Sequence, residues 1–271
     1  MRFRKLGLII VGCLLGGIAF GQACDMCEER GPVLVLPEDS VDKYYGNYKT
    51  EFRRKRSMRK LHPKSMVFSR DAFTKFYWKN FGIDSAKYSG MNLCLVSFGK
   101  RRARGQGHAD QIGIVMAPRG QDCKIDSNGF ILVNNAFGNR LNAAGDTAQQ
   151  VTWDAFREFG QKYRTKFRTG GRADTLYSNS LFLRKSVCDF LVAYFDTNSD
   201  ADGLAVYPGV YGSMMSICGL RDPGQITLML VPLVNGVPKF NAFKTFVDTK
   251  AANFKGMLAL NHGSLCPDVC Y

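Results

Sequence analysis

Four short blocks of this sequence occur twice, in the same order and at nearly constant separation. YSGMNLCLVSFG (88–99) aligns with ADGLAVYPGVYG (201–212), so that Gly90 and Gly99 fall on Gly203 and Gly212. QIGIVMAP (111–118) aligns with QITLMLVP (225–232), each running from Gln to Pro. FTKFYWKNF (73–81) aligns with VCDFLVAYF (187–195), and YGNYKTEFR (45–53) resembles FGQKYRTKFR (159–168). The offsets lie between 113 and 115 residues. Short apolar blocks match by chance, but four in one order do not. The pattern predicts a tandem internal duplication, and any fold for the chain has to accommodate it.

Each copy reads as helix, helix, strand, strand. Tyr44, Tyr45, Tyr48 and Phe52, and in the second copy Phe156, Phe159, Tyr163 and Phe167, recur at helical spacing. So do Phe73, Phe76, Tyr77 and Phe81, with Val187, Phe190, Leu191 and Phe195 as their counterparts. LAVYPGVYG is too rich in β-formers and too broken by Gly and Pro for a helix, and QITLMLVP is a short apolar run closed by Pro. A loop of about a dozen residues between the two strands makes an antiparallel hairpin the simplest topology. The expectation is an α+β fold whose two halves, 24–150 and 151–271, share one core with an antiparallel sheet. Further short strands are expected at 32–36 and 130–135, and a last helix near 248–260.

DGLAVYPGVYG, ITLMLVP and the terminal NHGSLCPDVC together resemble an uncharacterised family of bacterial proteins. Its members pair a Gly-led aromatic strand with a strand ending in Val-Pro, after a helix, and carry a tail of the form NHGxLCPxxC. The resemblance implies the fold just sketched and brings no activity with it.

Residues 1–23 have the layout of a secretory signal peptide. MRFRK is basic, LGLIIVGCLLGGIAF is apolar, and Gly21 and Ala23 are small residues before Cys24. No later run reaches the roughly 18–20 apolar residues that span a bilayer. The expectation is an exported chain, periplasmic or extracellular, with no transmembrane span after cleavage. A lipoprotein signal also ends before a cysteine, but Gly21 stands where that signal carries a Leu-like residue; a lipid anchor on Cys24 is the alternative. Cleavage leaves eight cysteines, Cys24, Cys27, Cys94, Cys123, Cys188, Cys218, Cys266 and Cys270, an even number that favours disulfides in an oxidising compartment. Cys24 and Cys27 open the mature chain, and Cys266 and Cys270 close it, outside the repeated region. They read as a disulfide clasp, and no cofactor is expected. The alternative is zinc held by Cys24, Cys27, His262, Cys266 and Cys270.

The two copies differ in charge. Residues 41–120 hold 18 basic and 5 acidic residues, whereas 154–234 hold 9 and 8. The excess sits in two places, Arg53, Arg54, Lys55, Arg56, Arg59, Lys60 and Lys64, and Lys100, Arg101, Arg102 and Arg104 at the hairpin tip. Arginine forks match phosphate and carboxylate, so these residues are the expected anion-binding face. Its partners would be anionic lipid head groups, acidic polysaccharide or another polyanion. No nucleic-acid-reading motif accompanies the charge, which excludes sequence-specific recognition. The functional expectation is a non-catalytic binding or envelope-associated protein. The alternative is a hydrolase of an anionic envelope substrate that uses His108 and Asp110 in GHADQ, although no nucleophile elbow is present. DTNSDADG (196–203) has the acid spacing of a calcium loop but lacks the closing Glu, and reads as a turn.

Overall fold

The computed structural model describes residues 38–82, 86–98, 110–134, 136–137, 149–167, 180–210, 226–243 and 245–246. All of them fall in one unit, Pro32–Tyr271. Helix α1 (Glu38–Phe52) buries Val41, Tyr44, Tyr48 and Phe52, three or four residues apart. A six-residue helix α2 (Arg56–Leu61) buries nothing and leads into strand β1 (Met66–Ser69). Ser69 then caps α3 (Arg70–Phe81), its Oγ accepting the Ala72 N–H at 3.2 Å. The chain continues through β2 (Tyr88–Ser97), β3 (Ile112–Gly120), β4 (Leu132–Val133), β5 (Ala136–Phe137) and β6 (Gln149–Gln150). Helix α4 (Trp153–Phe167), β7 (Ser180–Arg184), α5 (Lys185–Thr197), β8 (Ala201–Val210), β9 (Ile226–Val234) and β10 (Val237–Pro238) follow. The fold is α+β, with five helices and two antiparallel sheets among the described residues.

The sheets run β10-β9-β8-β1-β5 and β6-β4-β3-β2-β7. Strand β1, from the first half, pairs with β8 through Ser69 opposite Gly203 and Val67 opposite Ala205. Strand β7, from the second half, pairs with β2 through Arg184 opposite Gly90 and Leu181 opposite Leu93. Each hairpin therefore completes its sheet with a strand from the other half. The register slips at Tyr88/Gly90 in one sheet and at Ala201/Gly203 in the other. At the first slip the neighbouring backbone comes close, since a Cβ on Gly90 would lie 2.1 Å from the Leu183 carbonyl oxygen. Only glycine admits that approach.

Alternation along the strands sorts the core. Met91, Leu93 and Leu95 of β2 and Leu204 and Val206 of β8 join α3 and α5 in one shared cluster. The opposite face of β2, with Cys94 and Val96, and Phe98 just past its end, packs under Phe156 and Phe159 of α4. The opposite face of β8, with Ala205 and Tyr207, packs under Val41 and Tyr44 of α1.

The helix–helix–strand–strand expectation needs one correction. A short strand precedes the second helix in each half, MVFS as β1 and SLFLR as β7. Both are four or five residues long and buried without alternation, so neither shows the period-two signal by which a half-buried strand is read. The antiparallel sheet is divided into two. Of the stretch 130–135, Leu132–Val133 pairs as β4. The segments 32–36 and 248–260 lie outside the described residues.

Candidate functional site

The cationic segment between α1 and β1 is pinned at both ends. Phe52 closes the buried face of α1, and His62, fully buried, sits among three rings. Its centroid lies 6.0 Å from Tyr48, 5.3 Å from Phe52 and 5.5 Å from Phe167 of α4. Between these anchors Arg54, Lys55, Arg56, Arg59 and Lys60 are all exposed, and Lys64 is exposed beyond His62. Arg59 Nε donates to the Arg53 carbonyl at 2.9 Å, folding α2 back onto the exit of α1. Arg53 itself is half-buried and donates to the Tyr45 hydroxyl at 3.0 Å. None of these cations forms an ion pair among the described residues.

That charge is felt inside the protein. Burial, reinforced by the nearby Arg53 guanidinium, lowers the His62 pKa to about 4. Burial raises the Tyr45 pKa, and Arg53 opposes the shift.

Asp110 lies at the foot of the β2–β3 hairpin loop with a positive φ of 61°. Its N–H donates to the Phe98 carbonyl at 2.9 Å, and its own carbonyl accepts the Ser97 hydroxyl at 3.1 Å. The carboxylate is taken by Lys166 Nζ of α4 at 2.6 Å. Asp110, Ser97, Glu158, Gln161 and Lys166 line a shallow cavity of about 510 Å³. The other half of the hydrolase pair, His108, and the tip cations Lys100, Arg101, Arg102 and Arg104 lie outside the described residues. Sequence reasoning assigned the positive face to the first half alone. The structure brings Phe167, the last residue of the second-half helix α4, against His62 at the end of that segment.

Three of the cysteines fall in the described residues. Cys94 and Cys188 are wholly buried, the first under α4 and the second in the central cluster. Cys188 is a free thiol, and burial pushes its pKa up. Cys123 is half-buried in a turn with a positive φ of 65°. Cys24, Cys27, Cys218, Cys266, Cys270 and His262 lie outside the described residues, among which no cluster of three His, Cys, Asp or Glu could hold a metal. The stretch 196–203 runs from the last residues of α5 through a turn at 198–200 into β8. Asn198 Nδ2 donates to the Tyr194 carbonyl at 2.7 Å, and Asp202 accepts the Gly236 N–H at 2.6 Å.

Two Tyr–Asp–Lys groups went unread in the sequence. Tyr77 donates to Asp189 at 2.7 Å, and Lys185 holds the same carboxylate at 2.8 Å. Tyr88 donates to Asp126 at 2.6 Å, with Lys87 on it at 2.6 Å. Burial comes first in raising the Tyr77 pKa, and Asp189 adds to it. The i,i+4 spacing of Lys185 and Asp189 is visible in sequence; the tyrosine partners are not, because they arrive through tertiary packing.

The chain matches no protein-family model, no curated protein and no solved structure. The functional reading therefore rests on geometry and charge.

Proposed function

We propose that this is an exported, non-catalytic binding protein that holds polyanions on the cationic face made by Arg53, Arg54, Lys55, Arg56, Arg59 and Lys60. Lys100, Arg101, Arg102 and Arg104, outside the described residues, are a second cationic run in the sequence that would add to the charge offered to a polyanion. The observation that carries the reading is the run of exposed cations between Phe52 and His62, none of them ion-paired among the described residues. A solvated tail would not be folded back by the Arg59–Arg53 bond and anchored on a fully buried histidine. Cations presented from an anchored segment lose less backbone freedom on meeting an anion than they would on an open chain. The partners are anionic lipid head groups, acidic polysaccharide or other polyanions of the periplasm or extracellular space. The Cys24, Cys27, Cys266 and Cys270 pairs act as a disulfide clasp of the mature chain, which a non-reducing mass map would reveal.

The scaffold is the product of a tandem duplication. What supports this is the recurrence of α1, β1, α3, β2 and β3 as α4, β7, α5, β8 and β9, offset by 113 to 115 residues. The two hairpins also have the same burial along every strand and the same register slip, and the strands β1 and β7 are exchanged reciprocally.

Retention on immobilised heparin tests the binding function. The chain should elute above physiological salt, and Arg54→Ala/Arg56→Ala/Arg59→Ala should elute well below it. Elution of the unaltered chain below physiological salt would overturn the reading.

A further inference from the structure

Trp78 of α3 is 56% exposed, and Val237 is the other large apolar side chain left open among the described residues. A lone exposed aromatic is ordinary. This one, however, is held in place. A Cβ on Gly82 would fall 2.6 Å from the indole Cε3, so the ring lies against glycine backbone one turn further on. Tyr77 packs edge-on to it at 5.3 Å and is itself fixed by the bond to Asp189. The opposite side of α3 is core, with Phe73, Phe76 and Phe81 buried. Lys79 is exposed on the residue after the indole, Lys75 is exposed with its Nζ 5.6 Å from the Phe130 ring centroid, and Arg70 donates to the Ser199 carbonyl, against the one acid of α3, Asp71.

We propose that this face is an interfacial anchor that seats the protein on an anionic lipid bilayer. An indole is amphipathic and settles at the head-group level, where adjacent lysines meet lipid charge. A sugar-binding tryptophan needs free amides or carboxylates beside its ring to bond hydroxyls. Among the described residues, Asn80 is buried, its Nδ2 donating to the Phe76 and Phe130 carbonyls, Asp189 is taken by Tyr77 and Lys185, and the exposed Asp71 lies two turns back along α3. The anchor is a separate surface from the arginine segment and does not depend on it.

The chain has two tryptophans, so Trp153→Phe leaves Trp78 as the one indole reporter. The test uses the chain from Cys24 onward, as export would leave it, with vesicles of phosphatidylglycerol and phosphatidylcholine. The anchor predicts a blue shift of the Trp78 emission and its quenching by brominated lipid, with neither on pure phosphatidylcholine. In co-sedimentation, which keeps Trp153, Trp78→Ala should bind the mixed vesicles about tenfold more weakly. Lys75→Gln/Lys79→Gln should bind about thirty-fold more weakly. Retention of Trp78→Ala on heparin should be unchanged, which separates this surface from the arginine face. Unshifted emission, absent bromine quenching, or equal sedimentation of Trp78→Ala would overturn the proposal. A blue shift with acidic polysaccharide and none with vesicles would overturn it in favour of a glycan site.

Discussion

Acid should loosen this protein through His62. The imidazole is completely buried among Tyr48, Phe52 and Phe167, and its pKa falls from 6.5 to about 4 because burial, and then Arg53, disfavours the cation. A proton that the unfolded chain binds near pH 6.5 is refused by the folded chain until about pH 4. Folding therefore keeps its full stability above pH 6.5 and loses it as the pH falls toward 4. At roughly 1.4 kcal/mol per pH unit, the loss over that window is about 3 kcal/mol, a large share of a typical domain's stability. The assay is urea unfolding of the unaltered chain and His62→Phe at intervals from pH 7.5 to 4. Carboxylates titrate alike in both, so the difference between the two curves isolates the imidazole. That difference should be flat above pH 7 and shift by about 3 kcal/mol in favour of the variant by pH 4. A difference constant across the window would refute the reasoning.

Three substitutions probe the scaffold. Gly90→Ala places a Cβ 2.1 Å from the Leu183 carbonyl oxygen and should cost about 2–3 kcal/mol by chemical denaturation; a neutral result would mean that β7 does not approach β2 so closely. Asn92 is fully buried with neither Nδ2 nor Oδ1 hydrogen-bonded, so Asn92→Leu should be neutral or stabilise by about 1 kcal/mol, whereas a clear loss would reveal an unseen partner. Tyr77→Phe removes the donor to Asp189 and should cost about 1 kcal/mol in thermal unfolding, less if Lys185 compensates alone.

Much of the scaffold was legible because its signals are local. Helical spacing of Tyr48 and Phe52, or of Phe73 and Phe76, needs only neighbouring residues to be read. The long strands β2, β3, β8 and β9 begin within a residue or two of the blocks that recur in sequence. Strands β1 and β7 escaped because their partners are remote and both of their faces are buried. The cationic run was visible as composition, but not its anchoring: His62 gains its burial from Phe52 nearby and from Phe167 at the end of α4. The same holds for Trp78, whose spacing suggests a core helix and whose exposure depends on which face α3 turns inward.

The central claim is that an ordered set of cations on one face holds polyanions. Its most direct test is the salt dependence of binding to a fluorescein-labelled heparin oligosaccharide, followed by anisotropy from 50 to 300 mM salt. Affinity should fall steeply and linearly on logarithmic axes, and Arg54→Ala/Arg56→Ala/Arg59→Ala should lower the slope by about two to three. A slope unchanged by the triple substitution, with affinity intact, would contradict the account.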